Sequence, residues 1–126
     1  MEMAEEQIPQ QIQDQIERLQ QLQTQLQILQ QQRYQVETRL REIDEALEEL
    51  EKATEKTPIY KSVGSILIKA EGKDTVISEL KSNKETLDVR RNTLNKQEGH
   101  TREKFTELQS KVQNSLKLSG KETMNA

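Results

Sequence analysis

The sequence predicts a mostly helical chain: a long antiparallel two-helix coiled coil, joined by a β-hairpin that pairs with other subunits. Three observations predict it. Apolar residues recur at alternating steps of three and four through the first half of the chain. A weaker repeat of the same kind fills the second half, and a short segment rich in β-branched residues lies between them. We assign residues 1–126 to a single domain, with helix 1 at about 9–54, the β-hairpin at about 58–71, helix 2 at about 74–119 and a flexible tail at 120–126.

The composition argues against a compact monomeric core. Hydrophobic residues make up 31% and aromatic residues 2% of the 126 residues, whereas roughly 45–50% of a typical globular domain is apolar. Charged residues reach 33%, a level that would indicate disorder if the apolar residues were scattered. Their regular spacing instead indicates amphipathic helices that bury one stripe against a partner.

The first helix carries the strongest signal, a seam in which only Arg33 and Gln15 are polar. Its a positions are Ile12, Leu19, Leu26, Arg33, Leu40 and Leu47, and its d positions are Ile8, Gln15, Leu22, Leu29, Val36, Ile43 and Leu50. The glutamine-rich stretch from Gln7 to Gln35 has the alternative interpretation of a low-complexity tract. The unbroken seam and the helix propensity of glutamine favour the helix.

The second helix has a looser seam, so it depends on the first helix for burial. The seam consists of Ile77, Leu80, Lys84, Leu87, Arg91, Leu94, Glu98, Thr101, Phe105, Leu108, Val112 and Ser115. Antiparallel pairing places Leu47 opposite Leu80, Leu40 opposite Leu87, Leu22 opposite Phe105 and Leu19 opposite Leu108. The charged heads of Lys84, Arg91 and Glu98 are expected to point outward while their stems pack.

The segment between the helices predicts two strands, Ile59–Val63 and Ile66–Ala70, separated by Gly64 and Ser65. Two strands alone are marginally stable and expose backbone donors and acceptors on both edges. We therefore expect the hairpin to pair with hairpins of other subunits. The predicted oligomerisation residues are Ile59, Tyr60, Val63, Gly64, Ile66, Leu67 and Ile68.

The stretch IYKSVGSILIKAEGKDTVISELKSNKETL, Ile59 to Leu87, resembles the signature of archaeal-type prefoldin β subunits, in which an aromatic residue, a lysine and a hydrophobic-Gly pair precede a Leu-containing strand. The resemblance implies a cytoplasmic hexamer of two α-type and four β-type subunits, in which the β-hairpin builds an oligomeric β-barrel body. It also implies an ATP-independent chaperone that captures unfolded client polypeptides at its coiled-coil tips and delivers them to a group II chaperonin. The α-type subunit, clients and chaperonin are thus the expected partners. A passive coiled-coil spacer or assembly subunit is the alternative function.

A chaperone of this kind should expose apolar side chains at its open end. Ile16, Leu116 and Leu118 lie beside the seam, where two helices cannot fully bury them. The predicted client-binding residues are Ile8, Ile12, Ile16, Leu19, Phe105, Leu108, Val112, Leu116 and Leu118. The alternative is that these residues cover a third helix or are ordinary packing at a helix end.

Other function classes find little support in the sequence. His100 is the single histidine and there is no cysteine, so neither a nucleophile with its base nor a metal site is predicted. No enzyme activity and no cofactor are expected. The net charge of −3 comes without a basic run for nucleic acid, and no apolar run approaches the roughly 18 residues of a membrane span. For Tyr34 and Ile28, which lie off the seam, a subunit contact and simple exposure remain equal alternatives.

Overall fold

The computed structural model describes the backbone of residues 8–125 and the side chains of residues 8–118. Helix α1 spans Gln10–Lys52, strand β1 Tyr60–Val63, strand β2 Ile66–Lys69 and helix α2 Lys73–Asn125. The predicted fold class of two long helices with an antiparallel β-hairpin between them is confirmed. The chain divides into two units. One comprises residues 32–94, and the other comprises, within the described backbone, residues 8–31 together with residues 95–125.

Both ends of α1 follow from local chemistry. Pro9 lies just before the helix, and its carbonyl accepts hydrogen bonds from the backbone N–H groups of Ile12 and Gln13 at 3.0 and 3.1 Å. At the other end, the Lys73 ammonium donates to the carbonyl of Ala53 at 2.8 Å. A cation at this position satisfies a terminal carbonyl and meets the negative end of the helix dipole. Pro58 then prevents the helix from continuing.

The β-hairpin turns at Gly64 and Ser65, the two residues predicted to separate its strands. Val63 pairs with Ile66 next to the turn, and Tyr60 pairs with Lys69 at the other end of the strands. A further hydrogen bond, from Ala70 N–H to the Ile59 carbonyl at 2.8 Å, extends the ladder by one pair. Gly64 has a φ of 62°, which a two-residue type II′ turn requires at its first central position.

Helix α2 ends later than predicted. It begins at Lys73, beside the predicted start at about residue 74, and Val76 N–H donates to the Gly72 carbonyl at 3.3 Å. It continues to Asn125, beyond the predicted end at about residue 119. Gly120 follows the predicted end of the helix, but a single glycine costs only about 1 kcal/mol in a helix. No proline follows Gly120 in the sequence to end the helix. Ala126 lies outside the described residues.

The unit of residues 32–94 is built on an antiparallel helix pair. The Lys84 ammonium of α2 lies 2.7 Å from the Asp44 carboxylate of α1. Arg91 pairs instead with Asp88 on its own helix at 3.3 Å. The buried apolar side chains of this unit are Val36, Leu40, Ile43, Leu50, Val76 and Leu94. All but Val76 are positions of the predicted seams.

The ion pair between the two helices acts over a defined pH range. The hydrogen bond and the charge of Asp44 raise the pKa of Lys84 above its ordinary value. Its contribution to stability is therefore complete below the pKa of an unfolded lysine, and it is lost as the pH rises through the higher folded value.

The other described unit pairs residues 10–31 of α1 with residues 95–118 of α2. Leu22 and Leu108 line one cleft between the two segments, as expected of antiparallel helices. Its buried apolar side chains are Ile12, Leu22, Leu26 and Val112.

Glu98 departs from the predicted arrangement of this seam. It is only 6% exposed, so its head does not point outward as predicted. The short glutamate stem cannot carry the carboxylate past the neighbouring side chains, whereas the stems of lysine and arginine are long enough to do so. The Arg102 guanidinium, one turn further along α2, donates to the Glu98 carboxylate at 2.9 Å and offsets part of the cost of its burial.

Substituting alanine for Gly99 and for Gly64 tests the backbone conformations assigned to these two residues. A Cβ at Gly99, within α2, would meet no atom within 4 Å, so Gly99→Ala should raise the free energy of unfolding by about 0.5–1 kcal/mol. Gly64→Ala is the matched control in equally open space, but its positive φ should lower stability by about 1–2 kcal/mol. Denaturant titration of both variants at one protein concentration measures these changes. Shifts of the same sign would contradict the assigned conformations.

Candidate functional site: an apolar end cluster and a two-faced hairpin

The first candidate surface is the apolar end cluster, which we define as the nine predicted client-binding residues. All nine belong to the unit that contains the start of α1 and the later turns of α2. They divide into three groups by exposure. Ile8, Leu116 and Leu118 are exposed, Ile16, Leu19, Phe105 and Leu108 are half-buried, and Ile12 and Val112 are buried.

The exposed part of the apolar end cluster is narrower than predicted. Leu118 is 78% exposed, and Ile8 and Leu116 are each 38% exposed. Ile12 and Val112 are 6% and 5% exposed, so in this structure they form core beneath the surface. The heptad pattern could not separate these groups, because exposure depends on how completely the opposite helix covers each position.

The seam beneath the cluster also contains a polar defect. The side-chain oxygen of Gln15 is buried and accepts no hydrogen bond from any described residue. A buried acceptor without a donor costs about 1–3 kcal/mol relative to a satisfied one. Separating the helices at this position would return the oxygen to water, so this part of the seam resists opening less than an all-apolar layer would.

The second candidate surface is the β-hairpin, which has exposed apolar side chains on both faces. Cross-strand partners share a face and neighbours along a strand alternate. The face that we call the apolar hairpin face carries Ile59, Lys61, Val63, Ile66, Ile68 and Ala70, and the other face carries Tyr60, Ser62, Leu67 and Lys69. Leu67 is 69%, Ile66 63%, Tyr60 58% and Val63 56% exposed. Such exposure is typical of a surface that becomes covered on association.

The hydrogen-bond pattern shows which backbone groups point outward from the hairpin. The bond between Ala70 and Ile59 marks a hydrogen-bonded pair, and such pairs alternate with non-hydrogen-bonded ones along an antiparallel ladder. The pair of Ser62 with Leu67 is therefore of the second kind. The Leu67 N–H points away from β1, where it can pair with a strand of another chain.

The sequence analysis missed an ion pair beside the hairpin. The Lys61 ammonium on β1 lies 2.8 Å from the Glu79 carboxylate on α2. Both side chains line a cleft with Val63, Ile68 and Val76. Alternation already placed Lys61 on the same face as Ile59 and Val63, but the identity of its partner depends on how α2 lies against the hairpin.

Metal-binding groups of side chains and membrane-spanning helices are both absent from the described residues. No group of three or more His, Asp or Glu side chains within the described part of the chain could hold a metal ion. His100 is exposed. Among the described helices, none is both long and apolar enough to cross a membrane. Tyr34 and Ile28 are 64% and 49% exposed, which leaves their two interpretations open.

Comparisons with known proteins agree with this geometry. A family model described as prefoldin subunit matches residues 13–118. The prefoldin subunit beta of Archaeoglobus fulgidus is 51% identical over 109 residues, which are 86% of this chain and 93% of that protein. The prefoldin subunit beta of Thermococcus gammatolerans is 46% identical over 110 residues, which are 87% of this chain and 93% of that protein.

A solved structure supports the same assignment. The crystal structure of the prefoldin beta subunit from Thermococcus strain KS-1 is similar with a TM-score of 0.75 and 39% sequence identity. The similarity covers 86% of this chain and 95% of that chain. With two long helices, a central hairpin and these relatives, the chain belongs to the prefoldin subunit family and is similar to its beta-type members.

Proposed function

We propose that this chain is the beta-type subunit of an ATP-independent chaperone, which binds non-native polypeptides through the apolar end cluster and delivers them to a group II chaperonin. The observation that carries the proposal is the exposure of Leu118, Leu116 and Ile8 in a chain whose apolar residues make up only 31% of the sequence. Although the chain has few apolar residues, the side chains of these three are exposed in the same structural unit.

The physical chemistry of the end cluster suits a client without a defined sequence. Aliphatic side chains gain free energy from the apolar area that they remove from water, and this gain has no directional requirement. Each exposed residue contributes little alone. Several subunits acting on one client raise the overall affinity by avidity, provided that their end clusters can engage it together.

The hairpin supports assembly into the complex. Exposed apolar side chains on both faces and outward backbone donors favour pairing with strands of other prefoldin subunits. Following the family resemblance, we propose a cytoplasmic hexamer of two alpha-type and four beta-type subunits. The hairpins would form its β-barrel body, which leaves the end cluster available to clients.

Replacing the exposed residues of the end cluster tests client binding. Ile8→Ser, Leu116→Ser and Leu118→Ser together should leave the complex assembled, because none of them is buried. The variant should need at least about fivefold more chaperone to suppress aggregation of an unfolded client, since it loses apolar contact area on every beta-type subunit. Light scattering of a denatured client diluted into buffer measures the suppression.

The control removes an exposed apolar side chain elsewhere. Val89→Ser replaces a side chain of α2 that is 67% exposed, and this variant should suppress aggregation as well as the unchanged protein. Full suppression by an intact complex of the end-cluster variant would instead favour the passive spacer.

Blocking one hairpin edge tests assembly. Leu67→Pro removes an outward N–H and places a ring at the edge of β2, while the hydrogen bonds between β1 and β2 remain. The variant should form smaller assemblies when it is produced with an alpha-type subunit, as multi-angle light scattering measures. Leu67→Ala keeps the N–H and serves as the control, so an equal loss of mass in both variants would argue against backbone pairing at this edge.

A further inference from the structure

One charged side chain interrupts the apolar hairpin face. Of its six residues, Ile59, Val63, Ile66, Ile68 and Ala70 are apolar, and the exception is Lys61. Ile59 and Ala70 are half-buried at the base of the hairpin, whereas Val63 and Ile66 near the turn are exposed. A face that is apolar except for one lysine can be covered only if that lysine finds a partner.

Glu79 supplies this partner from α2. Its carboxylate lies 2.8 Å from the Lys61 ammonium, and the two side chains are 48% and 45% exposed, respectively. Val76 lies one turn before Glu79 and is buried, so α2 presents an apolar and an acidic side chain to the same cleft. Lys69 and Glu71 also line this cleft, but Lys69 belongs to the opposite face of the hairpin.

The free energy that this ion pair contributes depends on whether the apolar hairpin face is covered. With half of each side chain in water, the pair contributes little, because solvent screens it and holding both side chains costs entropy. Covering the face removes water from Lys61. Burying an unpaired ammonium there would cost a large desolvation free energy. When the ammonium is paired, its attraction to the neighbouring carboxylate offsets part of that cost.

We propose that Glu79 is a positioning residue for assembly, which neutralises Lys61 so that the apolar hairpin face can be covered by the apolar strand face of a second prefoldin hairpin. This proposal rests on the assembly proposed above. The occupant follows from the exposed Val63, Ile66 and Ile68, whose spacing on one strand face matches the apolar face of another hairpin. The outward backbone donors at the hairpin edge can pair with a strand of the same assembly. Glu79 then acts mainly on association and little on the fold of the separate subunit.

Four forms of the subunit, each purified together with a prefoldin alpha-type subunit, test the proposal. Glu79→Gln removes the carboxylate that pairs with Lys61, and the assembly dissociation constant of this variant should rise at least about tenfold. Glu79→Gln combined with Lys61→Met removes both charges, and its constant should return to within about threefold of the unchanged protein. Glu42→Gln makes the same charge change in an exposed pair with Arg39 on α1 and should have no effect.

The dissociation constants come from mass measurements over a dilution series, and circular dichroism melting of each form reports the fold. Weaker assembly of Glu79→Gln with rescue by the double variant supports the proposal. Unchanged assembly of Glu79→Gln, or a double variant as weak as the single one, overturns it. An unchanged protein that does not assemble with the alpha-type subunit overturns the proposed assembly and this inference with it.

Discussion

The structure depends on the burial of one apolar stripe along α1. This stripe runs from Ile12 to Leu50 and is interrupted only by Gln15 and Arg33, so a solitary α1 would expose most of its aliphatic side chains to water. Helix α2 covers the stripe although its own seam contains Lys84, Arg91 and Glu98. Each helix is stable mainly because the other one is present, since long isolated helices gain little from propensity alone.

Pairing of the helices buries many of the apolar side chains. It thereby determines which apolar side chains stay exposed and can bind a partner. Within the described side chains, the large apolar groups left uncovered include Leu116 and Leu118 near the end of α2 and the strand residues Val63, Ile66 and Leu67. The two sets differ in what accompanies them. The strand residues come with oriented backbone donors, which favour a partner of defined geometry, whereas the helix residues offer only area, which suits partners of many sequences.

Periodicity was sufficient to predict the helices and their seam, because burial in a two-helix structure follows heptad position closely. The β-branched runs on either side of Gly64 likewise predicted the two strands. Gly64 predicted the turn between them, since a two-residue hairpin turn needs a positive φ. Properties that depend on three-dimensional neighbours were not predictable in this way. The burial of Glu98, the burial of Val76 and the pairing of Lys61 with Glu79 each require knowing which side chain lies opposite. The end of α2 was mispredicted because a glycine weakens a helix without having to end it.

The most direct test of the antiparallel pairing is zero-length cross-linking of the unchanged protein. A carbodiimide reagent can join the Lys84 ammonium to the Asp44 carboxylate as an amide, because the two groups lie 2.7 Å apart. Mass spectrometry of a mixture of isotope-labelled and unlabelled chains tells whether the linked peptides come from one chain. The account predicts a Lys84 to Asp44 link in which both peptides carry the same label. Links found only between differently labelled chains, or links from Lys84 that exclude Asp44, would contradict it.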